Sequence, residues 1–220
     1  MNKFDMAHMF TARWEGGLSD HPADRGGITA YGVSLAFLRG VADESQANRD
    51  ALERMGIRLP VTADVIRGIS AHTAATLFRW QFWDRLRLDE FPVRVGTVLY
   101  DAAVNHGRAR SVRLAQQGYN ACVGVYGGKL AVDGMLGPLT RAALKNADTD
   151  KFLSAMIDVR IAFYSAIVAS NASQSVFLRG WLGRAEDLRK YIQYIQSVFL
   201  RGWLGRDEDL RKYIRGLGCA

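Results

Sequence analysis

Cysteine is nearly absent from this chain of 220 residues, Cys122 and Cys219 being the two. A pair so far apart is no disulfide framework, so free thiols and synthesis in a reducing cytoplasm are expected. Proline is scarce as well, with four residues, which leaves long stretches open to uninterrupted helix. The N-terminus, Met1-Asn2-Lys3-Phe4-Asp5, has an early acid and no continuous apolar stretch, so it does not read as a secretory signal. No run approaches the length of a membrane span. His8, His21, His72 and His106 lack zinc-type spacing with one another or with cysteine, so neither a metal nor another cofactor is expected. In Gly124-Val125-Tyr126-Gly127-Gly128-Lys129-Leu130 the glycine spacing is wrong for a phosphate loop, and no Ser or Thr follows the lysine. The acceptor triplet Asn171-Ala172-Ser173 carries no meaning without a secretory signal. No recognised nucleic-acid motif is present.

What is there reads as a mainly α protein. Hydrophobic residues make up 49% and charged residues 23%, an ordinary globular composition with enough chain for one domain or two small packed ones. The net charge of +7 suits a polyanionic partner: nucleic acid, an anionic membrane surface, or a bacterial wall with its acidic polymers. Charge alone does not choose among them.

The most informative stretch runs from Trp14 to Gly32. Upstream of it, Phe4, Ala7, Phe10 and Trp14 recur at spacings of three and four, the stripe of an amphipathic helix. Gly16-Gly17 then supplies the left-handed position that closes a helix. This leaves Glu15 at a helix C-terminus, where the partial negative charge disfavours ionisation. Desolvation against Trp14 acts in the same direction. A carboxyl group that keeps its proton near neutral pH is what a general acid needs, above all for cleaving a bond between two sugars. The alternative is an ordinary solvated glutamate, and spacing leaves both open.

Glu15-Gly16-Gly17 followed by Asp24-Arg25-Gly26-Gly27-Ile28-Thr29-Ala30-Tyr31-Gly32 resembles the signature of the bacterial and phage N-acetylmuramidases of glycoside hydrolase family 108. That resemblance implies a lysozyme-like helical fold with a glycine-rich catalytic turn, and Glu15 as catalytic acid. It also implies Asp24 as the residue that stabilises positive charge or orients water, or that merely organises the Gly26-Gly27 loop. Thr29 and Tyr31 would position water or sugar hydroxyls. The phage-lysozyme layout of Glu, eight residues, Asp, five residues, Thr is similar, but Thr29 follows Asp24 after only four.

Further helices are expected from Val33 with Ser34 as cap, across 62–87 with Ser70 opening a fresh helix near His72, over 93–105, from Ser111 to Tyr119, from Pro138, and over 150–168. Residues 43–60 read as a short surface helix and loop. Phe78, Trp80, Phe82 and Trp83 suit a core better than a sugar platform. The stretch 101–107, Gln116-Gln117 and Asp133-Gly134-Met135-Leu136-Gly137-Pro138-Leu139-Thr140 resemble the family's C-terminal, peptidoglycan-binding half. In that last motif the glycines make a turn, Pro138 takes the first helical position and Thr140 supports the helix start. Asp101 and Asn105 share a helix face and are candidate substrate-binding residues. Asn105 either meets an N-acetyl sugar or caps its helix. The expected division is 1–92 catalytic, 93–173 peptidoglycan-binding and 174–220 a helical tail.

The tail is a tandem duplication. Residues 174–192 recur at 196–214, with Asp207 in place of Ala185 as the single difference. The family has one such Gly-Trp-x-x-Arg segment, so Gly180-Trp181-Leu182-Gly183-Arg184 is expected to dock on the body. The second copy would lengthen or follow the helix, since 22 residues is roughly 40° past six turns. Beyond Ala172 the chain has nine Lys/Arg against five Asp/Glu, which would suit contact with outer-membrane lipid. The resemblance implies hydrolysis of the β-1,4 bond between N-acetylmuramic acid and N-acetylglucosamine for wall lysis, after release from the bacterial host cytoplasm by another factor. A lytic transglycosylase and a non-enzymatic wall-binding or secretion-accessory protein are the alternatives.

Overall fold

The computed structural model describes residues 1–19, 27–123, 127–200 and 213–216, and the protein is mainly α-helical. It divides into two compact units, Thr11–Gln81 and Met1–Phe10 with Phe82–Ala220. The division falls within the first helix and within a π-helical segment, Arg79–Asp84.

In the smaller unit, the end of α1 (Lys3–Glu15) leads into a three-stranded antiparallel sheet of β1 (Leu18–Ser19), β2 (Thr29–Ala30) and β3 (Val33–Ser34). These strands were not legible as strands in the sequence. Four short helices follow: α2 (Leu35–Glu44), α3 (Gln46–Arg54), α4 (Ala63–Arg67) and α5 (Ala71–Phe78). Each opens on a hydroxyl that accepts from the backbone N–H three residues on: Ser34 from Phe37, Ser45 from Asn48, Thr62 from Val65 and Ser70 from Thr73. Such caps satisfy orphan N–H groups and are worth about 1 kcal/mol each. Leu38, Leu52, Ile66 and Leu77 form the fully buried centre of this unit.

The larger unit is built on α6 (Val93–His106), which is buried from Val93 to Ala103. Around it lie α7 (Arg108–Cys122), α8 (Pro138–Lys145), α9 (Asp150–Ser170) and α10 (Ser175–Leu200). Gly107, at φ +82°, breaks the chain between α6 and α7. Ser111 does not open α7 as expected; it lies inside the helix, fully buried, and its hydroxyl donates to the carbonyl of Leu99 at 2.6 Å. By length and composition α9 is apolar enough to cross a membrane, contrary to the expectation that no segment would be. Its buried face nonetheless carries Arg160 and Tyr164, the pattern of a helix packed within a polar-centred core.

At that centre is Asp101, fully buried on α6. Arg160 of α9 donates to its Oδ2 at 2.6 Å, and Arg184 of α10 donates to its Oδ1 at 2.7 Å through Nη2 and at 3.1 Å through Nε. Burial alone would raise the carboxyl pKa, but the guanidinium groups of Arg184 and Arg160 outweigh it and hold Asp101 well below the usual carboxylate range. Arg160 also donates to the Tyr164 hydroxyl at 2.6 Å, and that hydroxyl lies 3.1 Å from Nε2 of His106. Arg160 thus links the Asp101 carboxylate to the Tyr164 hydroxyl and, through it, to His106.

The first tail copy is docked as expected. The Trp181 ring stacks on Tyr164 at 5.3 Å and Tyr191 stacks on Phe10 at 5.3 Å, while the Tyr191 hydroxyl donates to the Met6 carbonyl at 2.8 Å. The expected single drifting stripe through both copies does not hold. Tyr213 stacks face to face on Tyr194 at 3.9 Å, whereas 19 residues of straight helix would separate them by roughly 28 Å. Tyr213 therefore does not continue the axis of α10. Trp203 and the rest of 201–212 lie outside the described residues, as does Cys219, and Cys122 is a free thiol.

Two outcomes follow for stability. Arg184→Met should cost about 3 kcal/mol, the scale for breaking a buried charge pair. The corresponding change in the second copy, Arg206→Met, should leave the urea midpoint unchanged, because Arg184 is the residue that serves Asp101. The second outcome concerns pH. Burial lowers the pKa of His8, bonded to the Tyr100 hydroxyl at 2.8 Å, from 6.5 to about 4, partly opposed by Asp5. Burial, with Arg160, lowers that of His106 to about 3. The unfolded chain therefore takes up protons first, so stability is full above pH 6.5 and falls as pH drops toward 4. At pH 5 each histidine should cost about 2 kcal/mol. Urea titrations at pH 7 and 5 would show the drop, and His8→Phe should remove about half of it.

Candidate active site

Glu15 is the last residue of α1, and Gly16 at φ +69° takes the left-handed position that ends the helix. The expected closure is thus present, and Glu15 and Trp14 are both half-buried. After β1 the chain returns through β2, with Leu18 paired to Ala30 and Ser19 to Thr29. The β2–β3 connection is a two-residue turn in which both Tyr31 (φ +49°) and Gly32 (φ +79°) are left-handed, the pattern of a type I′ hairpin. The Tyr31 N–H donates to the Gly17 carbonyl at 3.2 Å, tying this turn to the two glycines behind the catalytic candidate.

The turn has a second purpose. A Cβ built on Gly32 would stand 2.7 Å from Oε2 of Glu15, 2.8 Å from its Cβ and 2.9 Å from its Cγ. The whole Glu15 side chain therefore lies across the bare α-carbon of Gly32. The last glycine of the motif is required twice over, by its backbone angle and by the side chain resting on it. The contact places the carboxylate at the tip of the hairpin rather than loose at a helix end.

Of the other predicted residues, Thr29 and Tyr31 sit on this same hairpin. Thr29 is half-buried and its hydroxyl donates to the Gly27 carbonyl at 3.3 Å, while Tyr31 is exposed. Asp24 lies outside the described residues. Asp101 and Asn105 are on α6 in the larger unit. Asn105 is partly exposed near the end of that helix. The buried Asp101, with both oxygens occupied by Arg160 and Arg184, is a core ion centre with no oxygen left for a sugar. What distinguishes it from the expectation is the pair of arginines, which are 59 and 83 residues away in the chain.

The Asp133–Thr140 motif folds partly as expected. Gly134 has φ +79° and Pro138 opens α8. Thr140, however, does not cap that helix; its hydroxyl meets Nε2 of Gln116 at 3.3 Å. Gln116 also donates to Asp133 Oδ1 at 2.8 Å and accepts from the Gly134 N–H at 3.0 Å. The loop is thus pinned to α7 by one side-chain amide. Those bonds to the Met135 N–H and to Gln116 lower the pKa of Asp133. Leu139 and Met135 stand out from the pinned loop, 81% and 67% exposed. Among the described residues no group of His, Cys, Asp and Glu could hold a metal ion.

Residues 8–107 match the family described as Glycosyl hydrolase 108, and residues 110–186 match a Predicted Peptidoglycan domain. No curated protein matches the chain. Among solved structures the chain is similar to that titled "Structure of Brucella abortus SagA", with TM-score 0.65 and 25% sequence identity over 87% of this chain and 94% of that one.

Gly32→Ala tests whether the seat of Glu15 matters. The far-UV circular dichroism should be unchanged, and the left-handed alanine should cost about 1–2 kcal/mol of stability. Cleavage of glycan strands should fall about 10²-fold through displacement of the carboxylate; an unchanged rate would show that its position on the hairpin is immaterial.

Proposed function

The chain carries a glycosyl hydrolase 108 domain joined to a peptidoglycan domain, and from that premise we propose that this peptidoglycan hydrolase cuts the β-1,4 bond between N-acetylmuramic acid and N-acetylglucosamine with Glu15 as general acid. The observation that supports the reading is the seating of Glu15 over Gly32 at the C-terminus of α1. In this reading Glu15 meets the glycosidic oxygen as the protonated acid. As the bond lengthens the proton moves to the leaving oxygen, and the sugar left behind takes on oxocarbenium character.

Asp24, nine residues on, is the second carboxylate of the proposed pair. In one geometry it attacks or stabilises the positive centre, and in the other it activates a water on the opposite face. Thr29 and Tyr31, on the hairpin itself, are proposed to hold water or sugar hydroxyls. Asn105 is proposed to contact the glycan from the larger unit's own surface, whereas Asp101 has a structural role. The peptidoglycan domain would keep the enzyme on an insoluble polymer between cuts. The excess of positive charge, +7 over the chain, would favour the same anionic surface. We infer a role in wall lysis, with the protein reaching its substrate after release from the cytoplasm.

The test is a turbidity assay on purified cell walls with mass spectrometry of the fragments. Glu15→Gln should lower the rate by about 10²–10⁴-fold and still sediment with walls. Reducing-end muramic acid among the wild-type products would support hydrolysis, and 1,6-anhydro ends would identify a transglycosylase instead. Walls bound without any loss of turbidity would leave a binding protein.

A further inference from the structure

The smaller unit has a concavity whose lining does not include the Glu15 hairpin. Its volume is about 510 Å³, and Arg39, Ala42, Asp43, Arg49, Pro60 and Val61 are among the residues around it. Two guanidinium groups dominate its chemistry. Arg39 of α2 donates through Nε to the Val61 carbonyl at 3.0 Å, and Arg49 of α3 donates through Nε to the Ala42 carbonyl at 3.0 Å. Anchoring an arginine by Nε fixes its plane and leaves the paired terminal nitrogens as a fork, the shape that matches a carboxylate. Asp43 is the acid in the lining, yet it stands 3.7 Å from Arg49 Nη2 and its side chain is 77% exposed. That separation is too long for a hydrogen bond. The lining thus holds one more positive charge than negative. Apart from Thr62 its remaining wall is apolar, with Ala42 and Val61 almost wholly buried.

We propose that this pocket is a carboxylate-binding subsite for the peptide stems of peptidoglycan, gripping a stem carboxylate with Arg39 and Arg49 while an adjoining alkyl group rests on Ala42, Pro60 and Val61. The proposal rests on the reading of the chain as a peptidoglycan hydrolase. In a polymer whose glycan strands repeat, peptide stems are where free carboxylates lie beside small alkyl side chains. A subsite for them lets the protein register a strand by its substituents as well as by its sugars. Asp43 occupies the place of a competitor: its carboxylate repels the incoming one, so its removal should strengthen binding.

Calorimetric titration with stem peptides released by an amidase measures the subsite without any glycan cleavage, so its result is separate from that of the Glu15→Gln assay. The wild type should bind, Arg49→Gln should weaken binding about fivefold, and Asp43→Asn should tighten it about twofold. Because Arg39 also holds the segment containing Val61, Arg39→Gln is read beside a thermal melt, and Asp43→Asn carries the test if that variant does not fold. Stem peptides with amidated carboxylates should not bind. The idea is overturned if the wild type shows no binding, if amidation or Arg49→Gln makes no difference, or if Asp43→Asn weakens the complex. Inorganic phosphate binding as tightly as the peptides would overturn it too, by showing a general anion site.

Discussion

One ionised carboxylate with no access to water organises the larger unit. An isolated charge in such a place would be heavily penalised, and Asp101 is stable there because Arg160 and Arg184 arrive from two other helices. A buried ion pair seldom outperforms well-packed apolar side chains in net stability, but losing one partner leaves an uncompensated charge. Apolar stripes on α6, α9 and α10 could meet in several registers, but only one brings both guanidinium groups to the same two oxygens. The tail duplication makes this selection visible. Residues 196–214 repeat the tryptophan, arginine, leucine, tyrosine and isoleucine of the first copy, and yet Arg184 holds the site. The lone difference between the copies favours that outcome: Ala185 is wholly buried, and an aspartate there would need desolvating without a partner of its own.

The smaller unit depends on a steric constraint instead. Its hairpin turn is left-handed at two consecutive residues, which suits the twist of paired strands, and the second is a glycine over which Glu15 lies. The same glycine thereby serves the backbone turn and the site. The two units use different physics for their central acids. Asp101 is held as an anion by opposite charges, and the Glu15 side chain lies against the α-carbon of Gly32.

Much of the helical framework could be read from spacing and capping chemistry. Of the stripe Phe4, Ala7, Phe10 and Trp14, the first three are buried and Trp14 is half-buried, and Ser34 and Ser70 open the helices they were expected to open. Gly16 closes α1 and so positions Glu15. Three short strands were missed because two residues per strand show no alternation to detect. Ser111, expected to begin a helix, and Thr140, expected to support a helix start, instead bond to groups distant in the chain, which local spacing does not reveal. The apolar length of α9 is hard to see in the sequence because charged residues such as Asp158 and Arg160 interrupt it.

Local sequence determined where helices begin and end, that a glutamate would close the first of them, and that two glycines would form the turn after it. These follow from interactions between residues a few positions apart, which a one-dimensional pattern records. Tertiary structure alone decided that Asp101 is an ion centre and not a ligand for sugar, that Glu15 rests on Gly32, and which tail copy occupies the body. Each of those depends on which side chains meet across the fold, and the partners of Asp101 stand 59 and 83 residues away, a relation that no local spacing contains.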